Sequence, residues 1–339
     1  MLKSLLSAAT LAFAATTATA QDVTIRVHHF MSDRATLHAD MLQGFKERVE
    51  AASDGRIAIE LYAAMSLGGR PGDLYDQAVD GAVEAILTLP GYTSGRFNQS
   101  EVFELPFIME DPVATSKAYW DLIESELQDG EFDEVKVLAG WVHGPGVIHS
   151  SEPITKLEDV AGKELRGPTR VVTDLLGELG AAPVGMPLPM IPENLSKGVI
   201  SGATLPWEVT PSIRLSELVG NHTEFAGDRA LYTAVFILAM NLDVYDAMPD
   251  DLKAILDAES GAKLSAFAAQ VMWDMDPGAR KIAEDAGNTI TILDEAEVNR
   301  WKEAAKPVVD RWVSDMDAKG IDGAALIEQA RGLIKKHGG

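Results

Sequence analysis

Apolar and polar residues alternate in short runs near the start of the chain, and helical spacing separates the runs. Residues 23–27 (Val-Thr-Ile-Arg-Val) and 57–61 (Ile-Ala-Ile-Glu-Leu) have the two-residue period of half-buried strands. Between them the apolar positions follow the spacing of a helix: Met41, Leu42, Phe45 and Val49. A strand, a helix and a strand in this order predict a parallel sheet with helices on its faces.

The same alternation continues along most of the chain. Residues 162–208 read as strand, helix, strand, helix and strand within a short stretch. Further strands are predicted at 83–89, 135–142, 231–240 and 289–293, and helices at 73–79, from 112 onward, at 252–263 and over most of the remaining C-terminal part. We therefore predict an α/β fold with long C-terminal helices.

The length of the chain predicts two lobes. Without its first 20 residues the 339-residue chain has 339 − 20 = 319, more than one core usually holds. The glycine–proline cluster at 143–146 is a plausible crossing point between lobes. We assign 22–145 and 232–270 to lobe I, and 146–231 and 271–339 to lobe II. Two tightly connected lobes can close over a small ligand like a hinge.

The N-terminus has the pattern of a secretory signal peptide. Lys3 precedes an apolar run from Leu5 to Ala15, and Ala18-Thr19-Ala20 ends the segment. The alternative, a membrane anchor, needs about 20 apolar residues. We predict cleavage after about Ala20 and a periplasmic location for the mature chain.

The charge of the chain excludes some partners. The formal net charge is −23, and the loss of Lys3 with the signal peptide makes it −24. Nucleic acids and anionic membrane surfaces bind clustered Lys and Arg, so neither is a predicted partner. The chain has no cysteine, which excludes disulfides and thiolate chemistry. We predict a monomer that relies on its own core.

The sequence lacks several common catalytic motifs. The sequence has no G-x-S-x-G, H-E-x-x-H, P-loop or G-x-G-x-x-G motif. His28 and His29 lie on opposite faces of a strand, and His143 and His149 are poorly spaced for a metal. We predict binding without catalysis, metal or cofactor. The rival hypothesis is a periplasmic lyase or hydrolase with His29 or His143 as the base.

Two side chains near predicted strand ends suggest the chemistry of the ligand. Arg166 and Trp207 follow short strands, and ligands of open α/β sheets bind outside such ends. The planar fork of arginine suits a carboxylate. The structural interpretation, a surface ion pair and a core tryptophan, is the common one for such residues taken singly.

Several motifs, in order, resemble a known family. They are Leu67-Gly68-Gly69-Arg70, Glu104-Leu105-Pro106-Phe107, Gly162-Lys163-Glu164-Leu165-Arg166, Gly180-Ala181-Ala182-Pro183-Val184 and Met240-Asn241. With the export signal, they resemble the DctP-like solute-binding proteins of TRAP (tripartite ATP-independent periplasmic) transporters. The resemblance covers essentially the whole mature chain. It implies a two-lobed periplasmic binding protein fold with a hinge cleft. It also implies delivery of an organic acid to the TRAP permease membrane subunits.

The resemblance assigns roles to particular positions. Arg166 matches the arginine that clamps the ligand carboxylate. Leu205 stands where sialic-acid-binding members have an asparagine, and Gly146 is near the place of their second arginine. These departures argue against sialic acid and favour a small acid with an apolar or aromatic body next to Trp207. An ABC-type or sensor-linked binding protein is the nearest alternative.

Other residues are predicted to face the same cleft. The first-lobe candidates are His29, Phe30, Arg70, Tyr92 and Phe107. For Arg70 and Arg170 the structural interpretation, pairing with acidic neighbours, is preferred, and Phe107 suits the core equally well. His29, Tyr92 and Glu208 are possible partners for hydroxyl groups, which would favour sugar acids instead of benzoate-like ligands.

Overall fold

The computed structural model describes residues 21–227 and 229–338, so the predicted signal peptide at 1–20 lies outside the described residues. The strands are β1 (Val23–His29), β2 (Ile57–Tyr62), β3 (Ala85–Thr88), β4 (Val135–Val142), β5 (Val147–Ser150), β6 (Glu164–Gly167), β7 (Ala182–Gly185), β8 (Gly202–Leu205), β9 (Asn221–Phe225), β10 (Val235–Asn241) and β11 (Thr289–Leu293). The α-helices are α1 (Gln43–Ala52), α2 (Leu74–Val79), α3 (Pro112–Leu122), α4 (Arg170–Glu178), α5 (Ile191–Ser196), α6 (Leu242–Ala247), α7 (Asp250–Glu259), α8 (Gly261–Asp285), α9 (Glu295–Ala318) and α10 (Gly323–Gly338). The α/β fold predicted from the sequence is confirmed.

The first sheet has the strand order β2-β1-β3-β10-β4. β1 pairs in parallel with β2 and β3, as the opening strand–helix–strand pattern predicted, and β10 runs antiparallel to β3 and β4. Every residue of β10 is buried. A strand with both faces covered has an unbroken apolar sequence, which explains the pattern of this segment.

The predicted strand at 231–240 begins later in the structure. β10 starts at Val235, and the preceding residues form part of a connection between the sheets. Leu231 and Tyr232 are buried there, so their apolar character reflects burial in a loop instead of strand pairing. Periodicity cannot separate these two cases for a short apolar run.

The second sheet has the order β11-β9-β5-β8-β6-β7. β6 lies between β7 and β8 and is parallel to both. β5 is antiparallel to β8 and β9, and β9 is parallel to β11. β6 is therefore an inner strand with a parallel neighbour on each side, next to the edge strand β7.

The chain crosses between the sheets at two segments that lie side by side. Residues 143–146 lead from β4 to β5, and residues 226–234 lead from β9 to β10. The backbone N–H of Gly146 donates to the carbonyl of Tyr232 at 3.0 Å. A Cβ atom on Gly146 would lie only 2.0 Å from the Tyr232 ring, so this close approach requires glycine.

Long helices join the two halves. α8 has 25 residues, about 37 Å at 1.5 Å per residue. Ser265, near its start, accepts a hydrogen bond from Gly140 of β4 at 3.0 Å. Asp276, further along, accepts one from Glu208 beyond β8 at 2.8 Å. The predicted helix at 252–263 is divided between α7 and α8, because Gly261 has a positive φ of 68°.

The last helix packs against the first half of the molecule. α10 lies along α3, and Lys336 pairs with Asp121 of that helix at 2.7 Å. The predicted lobe II, by contrast, includes all of 271–339. The lobe bounds stay a prediction, with α10 as the segment most in question. None of the helices in residues 21–227 and 229–338 combines the length and apolar character needed to cross a bilayer.

Candidate functional site

A cavity, here called the cleft, is lined by residues of both halves of the molecule. Phe30 and Leu89 directly follow β1 and β3, and Leu205 ends β8. The empty space between its lining residues is about 400 Å³, including open solvent at its mouth. Its lining residues are Phe30, Met31, Leu37, Leu89, Tyr92, His143, Arg166, Pro168, Leu188, Leu205, Pro206, Glu208, Val209, Tyr232 and Phe236. The position agrees with the rule that ligands bind at strand ends.

Arg166 is the cation of the cleft. It lies in β6, and its side chain is held from the two neighbouring strands. Nε donates to the carbonyl of Met186 and Nη1 to the carbonyl of Thr204, each at 2.9 Å. Only 2% of the residue is exposed. Two carbonyls from adjacent strands therefore fix the direction of the guanidinium.

The charge of Arg166 has no counter-ion among residues 21–227 and 229–338. No carboxylate in the part of the chain that the structure describes forms an ion pair with it, and its electrostatic neighbours are the phenols of Tyr92 and Tyr232. Burial lowers the pKa of Arg166, because the charged form loses its hydration. A buried cation that lacks a partner is costly unless an anion joins it.

Both phenols near Arg166 can donate a hydrogen bond. The Tyr92 hydroxyl oxygen accepts from the backbone N–H of Leu188 at 3.1 Å, which leaves its own hydrogen available. The Tyr232 hydroxyl is buried and has no hydrogen-bond partner among the described residues. Arg166, Tyr92 and Tyr232 together form a set of donors suited to one carboxylate.

His143 contributes a neutral imidazole to the lining. Its Nδ1 lies 2.5 Å from the carbonyl oxygen of Gly144, so Nδ1 carries the proton and Nε2 is an acceptor. Burial lowers the pKa of His143 to about 4, and the nearby charge of Arg166 acts in the same direction. At neutral pH this side chain therefore adds no charge to the cleft.

Glu208 is the acidic residue of the lining. Its backbone N–H donates to Oδ1 of Asp276 at 2.8 Å. Its Oε2 is buried and has no hydrogen-bond partner among residues 21–227 and 229–338. Burial, with the negative charge of Asp276 as a second cause, raises the pKa of Glu208 to about 8. The carboxyl group of Glu208 is therefore partly protonated near neutral pH, and its Oε2 is available for a hydrogen bond.

The remaining lining is apolar and rigid. The rings of Phe30 and Tyr92 meet edge-on with centroids 5.1 Å apart. Phe236 stacks on Trp141 at 5.6 Å behind the wall. Aromatic pairs of this geometry hold both rings in place and present a flat apolar surface. The cleft therefore suits a ligand with a carboxylate at one end and a planar apolar body.

The structure brings five of the predicted contact residues together in the cleft: Phe30, Tyr92, Arg166, Leu205 and Glu208. They come from four separate stretches of the chain and from both sheets. One cavity thus collects an arginine, a phenol, a carboxyl group and apolar side chains that are distant in sequence.

Two further predicted residues are buried next to the cleft but face other partners. His29 precedes Phe30 on β1, so it points to the opposite face, where its Nε2 meets Nδ1 of His38 at 2.9 Å. Trp207 packs edge-on against His149 at 5.0 Å and donates to Glu224 at 2.8 Å. Trp207 belongs to the packing of the second half, so we remove both residues from the contact set.

The last three predicted residues do not line the cleft. The Arg70 side chain is 87% exposed and pairs with Asp73 at 3.6 Å. Phe107 lines a different surface depression, and Lys302 lies 5.5 Å from its ring centroid. Gly146 packs against the Tyr232 ring where the chain crosses between the sheets. The preferred structural interpretation of Arg70 agrees with its position.

Sequence reasoning missed nine lining residues: Met31, Leu37, Leu89, Pro168, Leu188, Pro206, Val209, Tyr232 and Phe236. A tenth, His143, was named as the base of the rival enzyme hypothesis. Pro168 and Pro206 had a usable signal, because each follows the end of a strand that carries a cleft residue. Tyr232 and Phe236 were hidden in the run read as a single strand. The described residues contain no group of three or more potential metal ligands.

Comparison with known proteins identifies relatives over nearly the whole chain. The sequence model of the family described as bacterial extracellular solute-binding protein, family 7, matches residues 27–315. The ectoine/5-hydroxyectoine-binding periplasmic protein UehA of Ruegeria pomeroyi is 26% identical, with 85% of this chain and 84% of that protein covered.

Two solved structures are more similar. A TRAP solute-binding protein from Rhodoferax ferrireducens T118, in complex with copurified benzoate, is 47% identical with a TM-score of 0.91. The match covers 93% of this chain and 98% of that one. A marine metagenome TRAP solute-binding protein specific for aromatic acid ligands, in complex with 3-hydroxybenzoate, is 40% identical with a TM-score of 0.91. Here the match covers 94% and 99% of the two chains.

Proposed function

The chain belongs to the bacterial extracellular solute-binding proteins of family 7, and from that membership we propose that it captures a small aromatic monocarboxylate in the cleft. The observation that carries the proposal is the buried guanidinium of Arg166, which has no protein counter-ion among the described residues and lies in a cavity whose lining is mostly apolar. A carboxylate supplies the missing charge, and an aromatic body fills the apolar space.

The donors around Arg166 are matched to a carboxylate. A guanidinium has five N–H groups, and two are engaged by Met186 and Thr204. The remaining N–H groups are on Nη1 and Nη2, and groups of this kind can bind both oxygens of a carboxylate. Tyr92, from the first half of the molecule, and Tyr232, from a connection between the sheets, add hydroxyl donors. The bound anion thus connects the two halves and stabilises the closed cleft.

The apolar lining favours an aromatic ligand over a sugar acid. Phe30 and Phe236 offer ring surfaces, and Leu89 and Leu205 fill the space between them. Polyhydroxylated acids would bury many hydroxyl groups against these side chains without partners, which costs free energy. The benzoate and 3-hydroxybenzoate complexes of the two similar structures support the same ligand class.

A thermal-shift screen with ligand-stripped protein tests the ligand class. Ligands that bind only the folded state raise stability by about 2.7 kcal/mol at one hundred times Kd. We expect benzoate, hydroxybenzoates and mandelate to raise Tm more than galacturonate, neutral sugars or ectoine at equal concentration. A stronger shift with galacturonate would overturn the aromatic preference. Shifts with neutral sugars or amines alone would reject a carboxylate ligand.

Calorimetry on two arginine variants tests the clamp. Arg166→Lys keeps the charge but loses the fork, so benzoate affinity should fall at least about tenfold, or about 1.5–3 kcal/mol. Arg170→Lys is the matched control, because Arg170 is close in sequence but pairs with Glu101 and Asp315 outside the cleft. Unchanged affinity in Arg166→Lys, or an equal loss in both variants, would contradict the clamp.

We further propose that the chain acts in the periplasm as a monomer and delivers its ligand to a TRAP permease. Membership of the family and the two TRAP neighbours support this role. Genes for a small and a large TRAP membrane subunit should lie next to this gene. An adjacent ATPase with a P-loop would instead indicate an ABC system.

We also propose that this chain binds its ligand without changing it chemically. Prolonged incubation of benzoate with the protein should return the ligand unchanged by mass spectrometry. A new product that depends on His143 would revive the lyase or hydrolase hypothesis.

A further inference from the structure

The cleft contains a second polar position besides Arg166. Glu208 lines the cavity, and only 5% of the residue is exposed. Its backbone is anchored to α8 through Asp276, and its Oε2 lacks a hydrogen-bond partner among the described residues. Buried polar atoms almost always have partners, so an unused acceptor in a ligand cavity indicates a donor on the ligand.

Different elements hold this acceptor and the carboxylate position. The guanidinium of Arg166 is held by the carbonyls of Met186, next to β7, and Thr204, in β8. Glu208 lies beyond β8, and its backbone N–H is anchored to Asp276 of α8. The same cleft therefore offers a cation on one element and an acceptor on another, with apolar surface in the remaining lining.

We propose that Glu208 selects aromatic carboxylates that carry a ring hydroxyl group away from the carboxylate. This inference rests on the proposed function, because it assumes that Arg166 holds the carboxylate. A hydroxyl group suits Glu208 in both of its protonation states, since it can donate to an ionised carboxyl and can also accept from a protonated one. A plain benzoate leaves Oε2 unpartnered.

The same end of the cleft disfavours a second carboxylate on the ligand. Among the described lining residues Arg166 is the one cation, and it is engaged by the first carboxylate. Burial raises the pKa of Glu208 to about 8, so at neutral pH this carboxyl group is mostly uncharged. A second carboxylate would therefore be buried without a cation to pair with, which is strongly unfavourable. This end of the cleft thus favours a hydroxyl group over a carboxylate.

Calorimetry with matched ligand pairs tests both effects. The ligands are benzoate, 3- and 4-hydroxybenzoate, and the corresponding dicarboxylates isophthalate and terephthalate. We expect at least one hydroxybenzoate to bind the wild-type protein about tenfold or more tighter than benzoate. We expect its matched dicarboxylate to bind about tenfold or more weaker than benzoate. Hydroxybenzoates that bind no tighter than benzoate would overturn the proposal.

Two Glu208 variants connect the preferences to this side chain. Glu208→Met removes the acceptor at similar length, so the hydroxyl preference should fall to less than about threefold. Glu208→Gln keeps an acceptor and, like the mostly protonated carboxyl group, carries no charge, so the hydroxyl preference should stay near its wild-type value. Each ratio compares two ligands in one variant, and a general loss of stability therefore cancels. Ratios equal to those of the wild type in both variants would refute the role of Glu208.

Glu104→Gln is the matched control. Glu104 is also buried, its Oε2 also lacks a partner among the described residues, and burial raises its pKa to about 8 as well, but it does not line the cleft. Both ligand ratios should stay at wild-type values in this variant. Failure of the proposed function is distinguishable, because benzoate would then not bind or would bind independently of Arg166.

Discussion

Substitution by methionine should have opposite effects on ligand binding and on stability at Arg166 and Arg170. Arg166 is buried without a counter-ion among the described residues, whereas Arg170 forms a salt bridge with Glu101, whose side chain is only 7% exposed. We predict that Arg166→Met removes ligand binding but leaves the ligand-free protein nearly as stable as the wild type. Arg170→Met should do the reverse.

Two opposing contributions determine how Arg166→Met changes the free energy of unfolding of the ligand-free protein. The substitution loses two charge-assisted hydrogen bonds to Met186 and Thr204, which contribute about 3–6 kcal/mol together. It also removes the desolvation penalty of an unpaired buried cation, which is several kcal/mol. The two contributions nearly cancel, so the free energy of unfolding should change by less than about 2 kcal/mol.

Arg170→Met should lower the free energy of unfolding. Glu101 would keep only the hydrogen bond from Trp312 at 3.2 Å and would become a buried carboxylate without its cation. Removing one partner of such a pair costs about 3–5 kcal/mol when both are buried. Arg170 is 26% exposed, so water reduces the effect and we expect a loss of about 2–3 kcal/mol. Its benzoate affinity should remain within about threefold of the wild type.

Urea unfolding of ligand-stripped protein, with and without saturating benzoate, measures both quantities. The wild type and Arg170→Met should gain stability from benzoate, and Arg166→Met should gain none. A loss of more than about 3 kcal/mol in ligand-free Arg166→Met would show that Arg166 is mainly structural. Benzoate stabilisation of that variant would refute the clamp itself.

Three further predictions concern packing, pH and processing. Gly146→Ala should lower the free energy of unfolding by about 1–3 kcal/mol in urea titrations, because its Cβ would meet the Tyr232 ring. Gly278→Ala, in α8 with open space around it, should instead raise stability by about 0.5–1 kcal/mol, and equal effects would contradict the packing argument. Burial raises the pKa of Glu104 to about 8, so the folded protein keeps a proton that the unfolded chain releases above about pH 4.5. Stability from this group should therefore decline from about pH 4.5 to 8, and Glu104→Gln should flatten that decline; an unchanged pH profile of unfolding would contradict the assignment. Intact mass of the exported protein should correspond to a chain that begins at Gln21, and retention of residues 1–20 would exclude cleavage at the predicted position.

Local patterns in the sequence were sufficient for much of the fold. Strands β1 and β2 were found from two-residue alternation, and the helix between them from apolar spacing. Such patterns can be read locally, because the geometry of a helix or strand alone determines which of its residues share a face, and that face is buried whichever elements pack against it. The position of Arg166 near the end of a short strand was also a local signal, and together with the family resemblance it indicated the residue that we propose binds the carboxylate.

The tertiary structure decided which neighbouring residue enters the cleft. Phe30 and His29 are adjacent, as are Glu208 and Trp207, and in each pair only one lines the cavity. The choice depends on where a strand ends and on contacts from distant segments, such as the hydrogen bond from Glu208 to Asp276. A shift of one residue reverses the direction of a side chain, and the sequence pattern does not locate strand ends that accurately.

The cleft residues in the connections between the sheets were the hardest to predict from the sequence. His143 and Tyr232 lie far apart in sequence, yet the two crossing segments place both in one wall. No periodic pattern marks them, because a loop is positioned by the long-range contacts of the elements that it joins. The lack of a counter-ion at Arg166 among the described residues has the same origin, since an ion pair depends on which distant carboxylates approach and not on the residues beside it.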